Sequence, residues 1–465
     1  MIKLFNQYIS LHKLVFILGE GVLIFLAALL ATYITLGRGI GFIDTLEIVW
    51  PKLLLVTIIT QLSLYFNDLY EIRATDNKID LAARLIQAIG ITSITLAIIY
   101  FIWPDMVIGQ WIFFISLIFL LLFLLSWRFL YYIVVKKRLF TERTILLGTG
   151  DLACNLLEEL KFRRDIGYNI VLAICQNDSQ DTCELPLKIP VKQGFEELCE
   201  LVAKENASTV IVALDQKRGI MPYRELLNCK VQGVKIIDGE SFYEKIAEKL
   251  LVEKINPSWL IFSEGFQKSK ITRFFKRFSD FILSIIMLIL LLPFLALVVI
   301  IIKSESKGPA LFSQERVGEN GVPFILYKFR SMRSDAEKLS GPVWAEEDDP
   351  RVTKVGKIMR KLRIDELPQL WNVFRGEMSF VGPRPERRFF IDQLLKSVPY
   401  YNERFTVKPG VTGWAQIKYP YGSTEKDALE KLKYDLYYIK NLSFAFDLTI
   451  IFHTVKIMLL GRGAR

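Results

Sequence analysis

RKLRIDELPQLWNVFRGEMSFVGPRP, residues 360–385, is the stretch from which the rest of the chain can be read. Two adjacent carboxylates, Asp365 and Glu366, stand just before an apolar helical run. Pro368 follows closely, and proline is tolerated in the first turn of a helix but rarely deeper. The spacing therefore predicts Asp365 at or beside a helix N-cap, with Glu366 in the first turn. The partial positive charge of a helix N-terminus favours an ionised carboxylate. Arg360, Lys361 and Arg363 stand upstream, and Arg375, Arg384, Arg387 and Arg388 downstream. Ionised carboxylates among so many arginines suit chemistry on an anion, most simply a phosphate. A capped helix with a solvated basic face explains the same pattern, and charge alone leaves the two readings level.

Composition sets the surroundings of this stretch. The chain has 465 residues, 52% of them hydrophobic, and a mean hydropathy of +0.32. Length allows two or three domains, and long apolar runs make the chain a membrane protein. The net charge of +10 calls for an anionic partner: lipid headgroups, a phosphorylated substrate or nucleic acid. No nucleic-acid motif occurs and the basic residues flank apolar runs, so no nucleic-acid partner is expected. The cysteines, Cys154, Cys175, Cys183, Cys199 and Cys229, form no CxxC pair. They read as reduced cytosolic thiols rather than disulfides. With only His12 and His453, a His-ligated zinc site and a Ser-His-Asp triad are both poor fits. The first apolar run is long and lacks a small-residue cleavage pattern, so no cleavable signal peptide is expected.

Residues 1–140 hold four apolar runs, at 14–36, 46–65, 81–103 and 107–134. Each is long enough for a hydrocarbon core of about 30 Å. Lys3 and Lys13 precede the first run, Arg73, Lys78 and Arg84 lie at the second connection, and Lys136, Lys137, Arg138 and Arg143 follow the fourth. The third connection has no basic residue and the first has only Arg38. Both ends of the bundle are thus predicted on the cytoplasmic side. Trp50, Trp103 and Trp111 fall near the expected interfaces. Few charges lie within the runs, so the bundle reads as an anchor without an ion pathway.

Residues 141–262 read as α/β. RTILLG (143–148) is a strand, GTGDLACNLLEELK (148–161) turns on glycines into a helix, and further strands fall at 169–175, 209–213 and 234–237. Strands alternating with helices predict a parallel, doubly wound, Rossmann-like sheet. Gly148, Gly150 and Ala153 fit a phosphate-cradling pattern after a strand. Gly148 and Gly150 are therefore candidate cofactor-binding residues. A nucleotide site and an empty or regulatory pocket both remain open.

Residues 270–465 begin at a basic cluster, Lys268, Lys270, Arg273, Lys276 and Arg277. An apolar run at 281–302 follows, with Pro293 near its middle. Length alone makes it a fifth transmembrane helix. Parity objects, because a fifth crossing would carry Asp365 to the far side. The preferred expectation is a re-entrant helix, about 280–303, broken at Pro293. PALFSQERVGENGVPFILYKFRSM (309–332) predicts a hairpin that carries Arg316, Lys328 and Arg330. PGVTGWAQ (409–416) is a glycine-punctuated loop. Residues 424–440 form a polar helix capped at Thr424 and Asp427. Residues 442–460 suit a helix lying in the interface.

The third part resembles the bacterial sugar transferases that load a phosphosugar onto polyprenyl phosphate. The resemblance runs through ordered motifs: Lys276-Arg277 with Asp280, then QERVG, KFRSM, IDELPQLWNV, SFVGPRPE and PGVTGWAQ. Residues 1–262 are similar to the large members of that family, which add four membrane helices and a Rossmann-like module. The closing stretch is similar to the subgroup associated with exosortase-linked exopolysaccharide clusters. One departure is Leu292, where members commonly carry serine before the break proline.

The resemblance implies a mixed α/β monotopic catalytic domain behind the helical bundle and the Rossmann-like module. Asp365 matches the nucleophile and Glu366 its partner. A UDP-sugar would give its sugar-1-phosphate to undecaprenyl phosphate, releasing UMP through an aspartyl-phosphosugar. Mg²⁺ is the implied cofactor, with Asp365 as its protein ligand. Arg360 and Arg384 match anion contacts, and Arg316, Lys328, Arg330, Lys276 and Arg277 are further candidate substrate-binding residues. The implied location is a bacterial inner membrane, with the catalytic domain on the cytoplasmic face. Implied partners are the bilayer and downstream glycosyltransferases, and a homodimer is compatible. The competing reading is a non-catalytic scaffold or sensor that reads a nucleotide through the Rossmann-like module. A lipid-linked sugar transporter is a third reading, and charge-poor spans argue against it.

Overall fold

The computed structural model describes residues 2–4, 7–9, 11–36, 42–70, 78–109, 111–136, 141–163, 167–176, 186, 188–254, 265–266, 268–333, 351–419, 422 and 424–459. Backbone contacts divide the chain into two units, Met1–Lys3 with Tyr8–Phe242, and Leu4–Gln7 with Tyr243–Arg465.

The first unit opens with four long helices, α1 (Leu11–Leu36), α2 (Phe42–Phe66), α3 (Lys78–Ile102) and α4 (Ile112–Lys136). All four are long and apolar enough to cross a membrane by length and composition, as is a fifth helix in the second unit. The chain is an integral membrane protein. Phe16, Ile24, Leu64, Leu85 and Leu124 are buried where the four helices meet. Among the described residues, the most deeply buried charged pair of this bundle joins α1 and α4. Arg128 Nη2 lies 2.7 Å from Glu20 Oε1, Arg128 Nη1 donates to the Leu69 carbonyl, and both side chains are buried. A charge among apolar helices is tolerated when it is paired in this way.

The same unit continues into a five-stranded sheet, β1 (Glu142–Leu147), β2 (Tyr168–Cys175), β3 (Val191–Gln193), β4 (Thr209–Val212) and β5 (Lys235–Asp238). Helices α5 (Asp151–Phe162), α6 (Leu198–Lys204) and α7 (Tyr223–Val231) alternate with the strands. The order is β3-β2-β1-β4-β5 and every pairing is parallel, as in doubly wound folds. β1 and β4 are apolar on both faces, and Ile145, Leu147, Val210 and Val212 are buried, as parallel strands covered on both sides must be. The short edge strand β3 has half-exposed residues and no alternation, so no strand was expected there. Cys175, Cys199 and Cys229 are free, but Cys154 is disulfide-bonded. That corrects the expectation of five thiols, because linear spacing does not report which cysteines meet in space. Cys183 lies outside the described residues.

The longest helix of the second unit is α8 (Lys270–Glu305), capped by the Ser269 hydroxyl, which accepts from the Thr272 N–H. One helix runs across Pro293, which corrects the expected break there: a proline inside a helix removes one backbone hydrogen bond and can bend the axis without ending the helix. A hairpin follows, β6 (Leu311–Val317) and β7 (Pro323–Phe329), antiparallel and fully registered. Asn320 and Gly321 in its turn have φ of +55° and +77°. Next come α9 (Lys354–Lys361), α10 (Gln369–Arg375) and β8 (Ser379–Val381). The unit closes with α11 (Arg388–Ser397), β9 (Gly410–Thr412), α12 (Trp414–Lys418), α13 (Glu425–Asn441) and α14 (Phe444–Leu459). β8 and β9 pair in parallel. The core beneath them holds Val381, Ile391, Trp414, Leu436, Tyr437, Tyr438 and Phe446. Thr424 and Asp427 form the expected capping box at the head of α13.

Candidate active site

The two carboxylates do not lie on a helix. They occupy a single 3-10 turn, Ile364–Glu366, between α9 and α10. Arg363, with φ of +53°, ends α9 and swings the chain inward. A non-glycine residue in the left-handed region is strained, and such strain collects at functional sites. Pro368 then stands at the N-cap of α10, so the helix begins later than proline spacing predicts. Both Asp365 and Glu366 are buried.

The two acids differ sharply in their partners. Glu366 Oε1 accepts from Lys328 Nζ and from Arg384 Nη2, each at 3.0 Å, and Arg363 Nη1 lies 3.4 Å from Oε2. Burial by itself would raise its pKa, but Lys328, Arg384 and Arg363 together hold it well below the usual carboxylate range. Asp365 forms no hydrogen bond or ion pair among the described residues. Burial pushes its pKa up and Glu366 adds to this, while Lys328, Arg360 and Arg384 pull the other way. Four cations, Lys328, Arg360, Arg363 and Arg384, thus surround two carboxylates. The pocket keeps positive charge in excess, which suits a bound anion.

Local packing explains why these side chains converge. Asn372 on α10 is fully buried. Its Oδ1 accepts from the Tyr327 N–H at 3.1 Å, and its Nδ2 donates to the Ile325 carbonyl at 2.6 Å and to Glu377. This bridge fastens α10 to the edge of β7 and delivers Lys328 to Glu366. Gly376, with φ of +84°, ends α10. Arg360 is steered by the Ser331 hydroxyl, 3.0 Å from its Nε. Asn372 carries no charge and belongs to no spacing pattern, so only the fold reveals it.

The remaining candidates serve elsewhere. Lys276 pairs with Asp447 at 2.6 Å and reaches Tyr438. Arg277 donates to the Val373 and Phe374 carbonyls at 2.7 Å, where a cation complements the end of α10. Asp280 accepts from the Phe380 N–H. Arg316 reaches the Pro385 carbonyl at 3.2 Å. Arg330 donates to the Ser306 and Lys307 carbonyls just beyond α8. These four basic side chains brace the domain rather than face the dyad. A basic residue in a motif serves a backbone carbonyl as readily as a substrate phosphate.

The glycine turn after β1 is also filled from within. The Asp215 carboxylate accepts the Asp151 N–H at 2.9 Å and the Leu152 N–H at 3.2 Å. A Cβ on Gly150 would collide with that carboxylate. Gly148, at φ of +113°, lets the turn pass the Ala213 carbonyl. Both glycines make room for protein atoms, and the helix N-terminus that would hold a phosphate holds Asp215.

For a divalent cation, the described residues contain no cluster of three or more His, Cys, Asp or Glu side chains. Asp365 nevertheless fits Mg²⁺, which is held by one or two carboxylates together with substrate phosphates.

Comparison with known proteins joins the two units to known families. Residues 271–461 match the family described as bacterial sugar transferase, and residues 65–237 the one described as CoA-binding domain. The chain is 34% identical to galactosyl transferase CpsE of Streptococcus agalactiae serotype III, over 76% of this chain and 80% of that protein. It is 30% identical to the UDP-galactose-lipid carrier transferase of Erwinia amylovora, over 71% of this chain and 70% of that protein. It is 39% identical to an Aeromonas hydrophila UDP-N-acetylgalactosamine-undecaprenyl-phosphate N-acetylgalactosaminephosphotransferase, over 52% of this chain and 56% of that protein, less than two thirds of its length. The turn closed by Asp215 does not fit a coenzyme A phosphate.

Proposed function

We propose, from the chain's membership of the bacterial sugar transferase family, that it transfers a sugar-1-phosphate from a UDP-sugar to undecaprenyl phosphate and so begins a surface glycan. The observation that carries this reading is the asymmetry of the dyad. Glu366 is held by three cations, while Asp365 is buried with no hydrogen-bond or ion-pair partner among the described residues and is more basic than usual. A desolvated carboxylate of raised basicity is a good nucleophile once ionised.

In the proposed sequence, an Asp365 carboxylate oxygen attacks the sugar-bearing phosphorus of the UDP-sugar. The bond from that phosphorus to the bridging oxygen breaks, and UMP leaves with the electron pair. A phosphate oxygen of undecaprenyl phosphate then attacks the same phosphorus. The bond to Asp365 breaks, the carboxylate is restored, and undecaprenyl-diphosphate-sugar departs. Two displacements replace one between two polyanions. Lys328, Arg363 and Arg384 fix Glu366, and with Arg360 they offset the charge of the diphosphate. Mg²⁺, when bound, would be held by Asp365 and would neutralise diphosphate charge. Relatives' names include UDP-N-acetylgalactosamine and UDP-galactose, so the donor class is a UDP-hexose or its N-acetylated form.

The catalytic unit belongs, on this proposal, on the cytoplasmic face of an inner membrane, with α8 re-entrant. Support comes from where α8 is gripped. Near its start, Arg277 and Asp280 bond to residues 373–380. Near its end, Val298 and Ile302 pack with Phe329 and Met359. Residues 285–297 between these grips are apolar and none is buried. A helix crossing a core of about 30 Å leaves its ends on opposite faces, whereas both grips belong to one compact unit. A cysteine placed beside Lys303 should label only from the cytoplasmic side, and periplasmic labelling would defeat re-entrance.

UMP release from a panel of UDP-sugars, with Mg²⁺ and undecaprenyl phosphate, tests the chemistry. Turnover with one or two donors, absent in folded Asp365→Asn, is expected. Turnover that survives in Asp365→Asn would overturn the nucleophile assignment.

A further inference from the structure

The Pro383–Glu386 turn carries Arg384 to the dyad, and each of its four carbonyls has its own donor. The Gly410 N–H holds Pro383 at 2.9 Å, and Arg404 Nη2 holds Arg384 at 3.0 Å. Arg316 Nη1 holds Pro385 and the Val317 N–H holds Glu386, both at 3.2 Å. Two proline rings fix φ within the turn, and the four donors restrain the remaining freedom. Arg404 is the most deeply placed of the side-chain donors, 6% exposed. The same Nη2 reaches Asp435 Oδ2 at 3.0 Å, Nη1 donates to the Tyr401 hydroxyl, and the guanidinium lies 4.9 Å from the Tyr401 ring centroid. Asp435 on α13 and Tyr401 are themselves buried. Such a planar fork serves three acceptors at once, and a lysine ammonium cannot reproduce it.

None of these bonds touches the dyad. The Arg384 side chain, however, donates to Glu366. We propose that Arg404, backed by Asp435, is a positioning residue: it holds the Pro383–Glu386 turn so that the Arg384 guanidinium faces the dyad and the donor's diphosphate. The inference rests on the transferase reading. A long guanidinium on a loose turn would visit many rotamers. Pinning its own carbonyl restricts where it can point, and small misplacements of a catalytic group cost rate steeply.

A double-mutant cycle separates positioning from mere support. Wild type, Arg404→Lys, Arg384→Ala and the double variant are compared for kcat and KM with the UDP-sugar and for Tm. Arg404→Lys keeps a charge opposite Asp435, and it is expected to lower kcat about tenfold. In the Arg384→Ala background it should lower kcat no further, because the group it positions is gone. Equal losses in both backgrounds would overturn the proposal. If Arg404→Lys fails to fold, Asp435→Asn, which removes the charge that backs Arg404 and keeps the guanidinium, replaces it with the same expectation. If wild type releases no more UMP than Asp365→Asn, the transferase reading falls instead. The same four proteins are then ranked by the Tm shift that UDP induces, where non-additivity supports positioning and additivity overturns it.

Discussion

Two regions of this molecule look alike as anion sites, and they are closed in opposite ways. After β1, a glycine turn opens a helix whose first amides could cradle a phosphate, but Asp215 supplies the anion from within. At the dyad, the protein supplies anions as well, yet four cations face two carboxylates, and only Glu366 is neutralised by direct pairing. The first site is complete without a ligand. The second keeps charge that a diphosphate can complete. Counting donors against internal acceptors therefore says more about binding than the presence of a glycine or an arginine motif.

The sharpest way to break this contrast is to remove the cation that couples hairpin to dyad. Lys328→Met should lower kcat for UMP release by about 100-fold, since an active-site charge contact contributes roughly 2.7–4 kcal/mol to the transition state. A loss of less than threefold would mean that Arg384 and Arg363 suffice. Asn372→Leu tests the bridge that delivers Lys328. It leaves the Tyr327 N–H and the Ile325 carbonyl without their buried partner, so stability should drop by about 2 kcal/mol in denaturant titration. The drop in kcat should exceed what the unfolded fraction explains. The gentlest test lies at the glycine turn. Asp215→Ala removes a cap and should cost about 1 kcal/mol, leaving UMP release within twofold. Wild type should show no Tm shift with coenzyme A or inorganic phosphate, while Asp215→Ala should gain a phosphate-dependent one. Micromolar coenzyme A binding by wild type would erase the contrast.

Much of the architecture was legible in local patterns. The four N-terminal helices followed from apolar run length. Strands β1, β2, β4 and β5 and their parallel pairing followed from alternating strand and helix signals, and the hairpin from its GENG turn. Thr424 and Asp427 announced their capping box. The site was legible only in its types of residue. Asp365, Glu366, Arg360, Lys328 and Arg384 come together, but Lys276, Arg277, Arg316 and Arg330 point to backbone carbonyls or to Asp447. Asn372, Arg404 and Asp435 were invisible beforehand, because each acts through partners far away in sequence or through a backbone atom.

By itself, the sequence determined what depends on neighbours along the chain: membrane-length helices, a parallel α/β module, a hairpin, and a carboxylate pair set among basic residues. Periodicity and turn chemistry are local, so they survive in one dimension. Tertiary structure alone decided which carboxylate is neutralised and which stays unpartnered, which arginines face the dyad, and that Asp215 closes the glycine turn. Those outcomes depend on distances between elements tens of residues apart. A charge's role is set by whichever partner packing brings within about 3 Å of it.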